Sequence, residues 1–316
     1  MKSSEIVQPT KSTLEKKLQQ LESSIGNTPL REISNLLPDS SNVRIFAKLE
    51  WKQLGGSVKS RPAFHIIRDA ILNGQLTSDK ELLDASSGNT GIAYAHIGSR
   101  LGIPVTLCLP ENASPERKQI LRDLGTNLIL TSRDGGTDEA QEIAEKLYNE
   151  NPDRYYYADQ YNNKSNWNAH YLSTGPEIME QTYGQVTHFI AGLGTTGTFT
   201  GTGRFLKEAK PGIRLISLQP DLPLHGLEGW KHLETAHIPG IYDPNIADEN
   251  REVSTENAYE VVKLAKDLEQ LEISPSSAAN LAGALKLADE LEEGVIVTVL
   301  PDDGSKYTDL LKELLK

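Results

Sequence analysis

Glu81-Leu82-Leu83-Asp84-Ala85-Ser86-Ser87-Gly88-Asn89-Thr90-Gly91 decides the fold. Glu81–Ala85 is strand-sized with an apolar middle, the small polar residues after it make a tight loop, and 90–101 is helical in pattern. A strand that empties through a short polar loop into a helix is the opening of a βαβ unit. The pattern continues outward: strand over 105–109, helix over 115–124, strand over 127–130, helix over 138–149 and strand over 154–158. Strands that alternate with helices call for a parallel sheet covered on both faces.

The same rhythm returns later, with strands over 187–191, 214–219 and 295–300 and helices over 201–210, 255–269 and 278–291. Residues 220–250 are rich in Pro, Gly and His and have no period, which marks a long functional or mobile loop. Ahead of the first βαβ unit, 10–24 reads as a helix with Leu14, Leu18 and Leu21 on one face; Ile25-Gly26-Asn27-Thr28-Pro29-Leu30 ends it. A strand follows over 44–50, then a helix over 62–72 with Pro62 in its first turn. The expectation is α/β: two domains, each with a largely parallel sheet flanked by helices, and a ligand cleft between them at the carboxyl ends of strands.

The bulk numbers narrow the function classes. With 316 residues, 37% hydrophobic content and a mean hydropathy of −0.43, the chain reads as soluble and globular. Val295-Ile296-Val297-Thr298-Val299-Leu300 is far too short to span a bilayer. The start, Met1-Lys2-Ser3-Ser4-Glu5, lacks an apolar run, so no secretory signal is expected. A net charge of −12, from 32 basic and 44 acidic side chains, opposes nonspecific nucleic-acid binding. Cys108 is the one cysteine, which excludes an intrachain disulfide and fits a reducing, cytoplasmic setting; its place in an apolar run reads as core. The seven histidines show no metal-ligand spacing, so no metal site is expected.

Three stretches carry chemistry. In Gly55-Gly56-Ser57-Val58-Lys59-Ser60-Arg61, an amine stands in a turn where a ligand can approach backbone. Gly192-Leu193-Gly194-Thr195-Thr196-Gly197 follows a strand and matches G-x-G-x-x-G, with Asp221 24 residues past Gly197. Alone, that match also fits a bare strand-to-helix turn or a dinucleotide site. The hydroxyls of Thr195, Thr196 and Thr198 beside a helix start specify a phosphate without saying which. Lys59 separates the possibilities: nicotinamide chemistry needs no such lysine, whereas an aldehyde cofactor is held by one as a Schiff base. Amine and phosphate cradle together point to pyridoxal 5'-phosphate. The Ser86-Ser87-Gly88-Asn89-Thr90-Gly91 loop, at a helix N-terminus, suits a substrate α-carboxylate. Asp302-Asp303-Gly304 after the last strand reads as a turn, and Glu290, Glu292 and Glu293 as a solvated face.

With residues 110–121, Asp159-Gln160, Thr174-Gly175-Pro176-Glu177-Ile178 and Pro301-Asp302-Asp303-Gly304-Ser305-Lys306-Tyr307 added, the chain resembles the cysteine synthase / cystathionine β-synthase family of fold-type II pyridoxal-phosphate enzymes, and looks most like its cysteine synthase B-type branch. The resemblance implies a tryptophan synthase β-like fold, with a smaller domain over 45–155 and a larger one formed by 1–44 and 156–316. It implies Lys59 as the Schiff-base lysine and Asn89 on the cofactor ring oxygen. Gly194, Thr195, Thr196, Gly197 and Thr198 would hold the phosphate. Ser274, or else Ser276, would meet the pyridine nitrogen, and a neutral serine there favours β-elimination. Ser86, Ser87, Gly88, Thr90 and Gln160 would bind substrate. The chain departs from the family at Gln53-Leu54, where Asn-Pro is common, at Ser60, where an acid is common, at Ser86, where Thr is common, and in Ser274-Pro275-Ser276-Ser277.

The implied activity is β-replacement on O-acetylserine or O-phosphoserine by a sulfur donor, through an aminoacrylate, to give L-cysteine. Lys231, beside His232 in the irregular loop, is the candidate partner for a substrate phosphate. A homodimer is the family expectation, and a sulfur-carrier protein is one candidate donor. The alternatives are cystathionine β-synthase, diaminopropionate-type synthase, serine/threonine dehydratase, a nicotinamide oxidoreductase and a non-catalytic relative.

Overall fold

The computed structural model describes residues 11–315. In chain order the elements are α1 (Lys11–Glu22), β1 (Leu30–Ile33), β2 (Val43–Leu49), α2 (Ser60–Leu72), β3 (Glu81–Ala85), α3 (Asn89–Leu101), β4 (Val105–Pro110) and α4 (Pro115–Asp123). Next come β5 (Asn127–Thr131), α5 (Gly136–Glu150), β6 (Tyr155–Tyr157), α6 (Lys164–Leu172), α7 (Thr174–Gln181), β7 (His188–Gly192) and α8 (Gly197–Ala209). Then follow β8 (Arg214–Pro220), β9 (Glu249–Val253), α9 (Thr255–Glu269), α10 (Pro275–Ala288), β10 (Gly294–Leu300), a 3₁₀ turn at Gly304–Lys306 and α11 (Thr308–Leu314). Thr10, where the first helix was expected to start, and the Met1–Glu5 start lie outside the described residues.

The chain divides into two compact α/β units. One holds residues 11–25 and 63–160; the other holds 26–62 and 161–315. The shorter unit has a four-stranded sheet in the order β5-β4-β3-β6, parallel throughout. Every residue of β4 is buried, as a strand covered on both faces must be. One face packs Leu83, Ala85 and Cys108 against Ala140 and Ala144 of α5. Cys108 lies in this core, on β4. Gly102 closes α3 in the left-handed region at φ 78°, which glycine adopts without steric cost.

The longer unit has six strands in the order β1-β2-β10-β7-β8-β9. Only β1 runs antiparallel, pairing Leu30 with Lys48 of β2; the other pairs are parallel. The central β10 alternates its side chains between two cores. Ile296 and Leu300 pack with residues of α9 and α10, while Val297 and Val299 pack with Ile178 of α7 and Phe199 and Leu206 of α8. The parallel run β2-β10-β7 brings three carboxyl ends to one edge. From that edge emerge the Lys59 turn, the 301–307 segment and the 193–197 turn.

Candidate active site

Lys59 is carried by a turn that only glycine makes cheaply: Gly55 and Gly56 have φ of 79° and 63°. The turn is tied down on several sides. Val58 N–H donates to Pro301 O at 2.8 Å, Ser57 Oγ accepts from Lys59 N–H at 3.3 Å, and Ser60 Oγ donates to Leu54 O. Lys59 itself is half-buried. Burial pushes its ammonium down to about 8, with Asp302 pulling the other way.

Asp302 departs from its reading as part of a turn. It is fully buried, and Tyr307 donates its hydroxyl to Oδ2 at 3.2 Å. Lys306 Nζ lies 4.0 Å from the same oxygen and donates to Gly56 O at 2.9 Å, so one side chain joins this carboxylate to the Lys59 turn. Asp303 does act as a turn residue, accepting from Ser305 N–H at 3.1 Å.

Two residues beyond Lys59, Arg61 enters a buried ion network. Its guanidinium bonds both oxygens of Glu50 at 2.7 and 2.8 Å and both of Glu177 at 2.6 and 2.7 Å. Lys48 Nζ adds a 2.6 Å bond to Glu177, and Thr28 Oγ1 donates to Glu50 at 2.6 Å. The network accounts for residues in two motifs noted above, Thr28 in 25–30 and Glu177 in 174–178. Burial alone pushes both glutamates up; Arg61 and Lys48 more than reverse it and hold them below the usual carboxylate range.

The 193–197 turn forms a tight cradle. A Cβ on Gly194 would lie 2.0 Å from Gly229 O, and one on Gly197 would lie 1.9 Å from Asn166 Oδ1. Thr196 takes φ 71° and ψ −11° at the start of α8, where no side chain caps the helix. Thr196 Oγ1 is buried with no hydrogen-bond partner among the described residues. Thr195 Oγ1 accepts from Asn166 Nδ2 at 3.1 Å, and Thr198 Oγ1 lies 3.2 Å from His170 Nε2. An uncapped helix start beside an orphaned buried hydroxyl fits an anion with several acceptor oxygens. The helix begins at Gly197, not at 201 as expected, so Gly197 and Thr198 stand in its first turn.

Ser274, Ser276 and Ser277 cluster at the start of α10. Ser274 Oγ caps the helix by accepting from Ser277 N–H at 3.2 Å and also contacts the hydroxyls of Ser276 and Ser277, each at 3.1 Å. Ser277 donates to Asp302 O at 2.7 Å, which ties the cluster to the Asp302 segment.

In the shorter unit, residues 86–91 form the loop between β3 and α3. Ser86 Oγ accepts from Gly88 N–H at 3.3 Å and Gly91 N–H at 3.0 Å. Gln160 braces the loop: Oε1 accepts from Thr90 Oγ1 at 2.7 Å and Nε2 donates to Ala85 O at 3.0 Å. Ser87, Gly88 and Asn89 keep intermediate exposure at the helix N-terminus, which carries no side-chain cap. Beneath the loop, Asp84 is buried and pushed up to about 7, by burial first and by Asp159, against the opposing Ala85 N–H.

Lys231 belongs to the longer unit. Its backbone N–H donates to Leu193 O at 2.8 Å, its Nζ donates to His237 O at 3.3 Å, and that ammonium lies 4.9 Å from the Tyr161 ring centroid. His232 is buried, with Nδ1 2.9 Å from Thr235 Oγ1. No metal-holding group of His, Cys, Asp or Glu occurs among the described residues, and none of their helices is long and apolar enough to cross a membrane.

Sequence reasoning missed Asn166, His170 and Asp302. The signal for Asp302 was its place directly after a parallel strand whose neighbour leads into the 193–197 turn. For Asn166 and His170 the signal was weak, being two polar residues at i, i+4 on a polar helix.

Comparison with known proteins agrees with these features. The family described as "Pyridoxal-phosphate dependent enzyme" matches residues 21–302. A cysteine synthase of Aquifex aeolicus is 47% identical over 289 residues, covering 90% of this chain and 88% of its own length. Cysteine synthase B of Escherichia coli is 36% identical, covering 91% of this chain and 93% of its own. The crystal structure of a cysteine synthase (OASS) from Entamoeba histolytica superimposes with a TM-score of 0.86 at 31% identity, covering 100% of this chain and 98% of that one.

Proposed function

The chain belongs to the family of pyridoxal-phosphate dependent enzymes, and on that basis we propose that it runs a β-replacement on an O-activated L-serine, with Lys59 as its covalent and proton-transferring amine. It is an enzyme of the cysteine synthase type, with L-cysteine as the product. What supports the role of Lys59 is the Gly55-Gly56 turn that carries it, fastened to Pro301, where burial pushes its amine down to about 8. Such an amine supplies a neutral nucleophile near neutral pH and can take up and return a proton at Cα.

The cofactor supplies an aldehyde for covalent attachment and an electron sink for the developing negative charge. Gly194, Thr195, Thr196, Gly197 and Thr198 would hold its phosphate through hydroxyls and first-turn amides. Asn89 would hydrogen-bond the ring oxygen, and Ser274 or Ser276 would take the pyridine nitrogen. Ser274 Oγ donates to Ser277 Oγ at 3.1 Å, which uses its one proton and favours the Ser276 hydroxyl for that contact. Ser86, Ser87, Gly88 and Thr90 offer donors to the substrate carboxylate, and Gln160 holds them in place.

Lys231 is the candidate partner of a substrate phosphate; its position over Tyr161 orients the ammonium. The enzyme works as a homodimer in the cytoplasm and takes sulfur as sulfide, thiosulfate or a carrier-protein thiocarboxylate. Steady-state turnover with O-acetylserine and O-phosphoserine, each with sulfide, tests the assignment. Cysteine formation from either substrate that disappears in Lys59→Ala supports the reaction; undiminished turnover in that variant refutes it. Unchanged phosphoserine use in Lys231→Ala removes Lys231 from the scheme.

A further inference from the structure

We propose that Asn166 and His170, both on α6, are positioning residues that aim the Thr195 and Thr198 hydroxyl protons at the cofactor phosphate. This rests on the assignment of residues 194–198 as the phosphate cradle. A threonine hydroxyl has one proton, and a phosphate offers only acceptors when fully ionised. A hydroxyl that spends its proton on a protein acceptor would present lone pairs to the anion. A hydroxyl that accepts from a protein donor keeps its proton for the anion.

The structure shows the second case at Thr195 and allows it at Thr198. Asn166 Nδ2 donates to Thr195 Oγ1 at 3.1 Å. His170 lies between two threonines, with Nδ1 2.9 Å from Thr174 Oγ1 and Nε2 3.2 Å from Thr198 Oγ1. If Thr174 donates to Nδ1, Nε2 carries the ring proton and donates to Thr198. Donors then run in one direction, Thr174 to His170 to Thr198 to phosphate.

Burial makes the direction matter. Asn166, His170, Thr174 and Thr195 are buried, His170 completely so, and Thr198 is partly exposed. Little water is present to reverse a mispointed hydroxyl. Asn166 is also fixed by shape, because its Oδ1 fills the place a Cβ of Gly197 would need. A glycine is required at 197 for the amide side chain to reach Thr195 at all. The remaining cradle hydroxyl, Thr196 Oγ1, has no acceptor among the described residues to compete for its proton. The three hydroxyls are therefore biased alike, toward donation into the cradle.

The test compares two ligands on the full-length apo chain: pyridoxal 5'-phosphate and pyridoxal, which lacks the phosphate. His170→Leu and Asn166→Leu each remove a donor while roughly keeping volume and adding no charge. Each is expected to weaken pyridoxal 5'-phosphate by about tenfold or more, the scale of a lost hydrogen bond to a charged group, and to leave pyridoxal unchanged. The ³¹P resonance of the bound phosphate should move in both variants. His170→Gln, whose amide reaches the Nε2 position, should recover most of the loss. Equal weakening of both ligands would make these residues structural supports and overturn the proposal, as would wild-type preference in His170→Leu. Should His170→Leu fail to fold, Asn166→Leu and His170→Gln give the same decision. Thr198→Ala separates the two levels. Intact phosphate preference there removes the cradle assignment itself; its loss there, with preference kept in His170→Leu and Asn166→Leu, removes only the relay.

Discussion

Val58 donates its N–H to the carbonyl of Pro301 at 2.8 Å, so the residue before Lys59 is bound to the residue before Asp302. Two segments far apart in sequence thereby share one anchor. The Lys306 bond to Gly56 O at 2.9 Å is a second tie between the same segments. The segments that carry Lys59 and Asp302 are thus joined by one backbone hydrogen bond and one lysine side chain.

The electrostatic consequence is measurable. Lys59 is pushed from 10.5 to about 8 by burial, and Asp302 opposes that fall. Reaction of the apo chain with pyridoxal should accelerate with pH around a midpoint near that value, since the neutral amine is the nucleophile. Asp302→Asn removes the opposing charge, so the midpoint should move to lower pH. The linkage runs the same way: a lowered lysine makes the folded state less stable below about 8, and that deficit fades between about 8 and 10.5. A midpoint in Asp302→Asn equal to or above the wild type would show that the carboxylate does not act on Lys59.

Gly194→Ala tests the cradle by geometry alone. The new methyl would lie 2.0 Å from Gly229 O, and a backbone oxygen cannot swing aside as a side-chain end can. Either the 193–197 turn or the 227–231 segment must shift, at a cost of about 1–3 kcal/mol typical of overpacking. Urea unfolding should report that loss, and pyridoxal 5'-phosphate affinity should drop by about tenfold or more as the amides leave their positions. Wild-type affinity with lowered stability would mean the anion binds elsewhere.

These two sites were not equally visible in the sequence. The strand–loop–helix reading of 81–101 holds in β3 and α3, because a parallel strand buried on both faces leaves an unmistakable apolar run. Lys59 and 194–198 stood out through glycine and hydroxyl spacing, and the pyridoxal phosphate reading agrees with the family match. Asp302 did not stand out, since Asp-Asp-Gly spells a turn equally well and only the fold buries its first residue. α6 was invisible because Lys164–Leu172 is polar and its interior face is made of Asn166, Ala169 and His170. β9, Glu249–Val253, was hidden for the opposite reason: its charges suit an edge strand, and edge strands carry no alternating apolar signature. Residues 220–250 are irregular as expected except at their end, where β9 begins.

Asp84 makes a prediction for the shorter unit. Its carboxyl is pushed from 3.8 to about 7 by burial and by Asp159, against the Ala85 N–H. A raised acid lends stability below its unfolded value and loses it as pH climbs through the folded one. Asp84→Asn has no proton to lose. The variant's stability relative to wild type should rise from pH 4 to pH 7 and level off above, by a total on the order of a few kcal/mol. Parallel urea curves at pH 5 and pH 8 measure this difference. A constant gap between the two proteins would mean Asp84 titrates normally.

Arg61 makes the last. Its guanidinium is fully buried and bonds Glu50 and Glu177 at once, leaving Lys48 as the only other cation bonded to Glu177 among the described residues. Arg61→Met would leave two buried carboxylates short of their main partner, which costs about 3–5 kcal/mol where one member of a buried pair is removed. Both glutamates are held below 4.5 in the folded chain, so their contribution is present above that pH and is lost as pH falls through the lowered values. Without Arg61 the acid limb of stability should begin at higher pH. Adding Glu177→Gln to Arg61→Met removes one of the stranded charges and should recover part of the loss, a coupling that a double-mutant cycle reads directly. Because Arg61 stands in the first turn of α2, two residues past Lys59, the single variant should also bind pyridoxal 5'-phosphate more weakly. Simple additivity of Arg61→Met and Glu177→Gln would deny that the two side chains form one network.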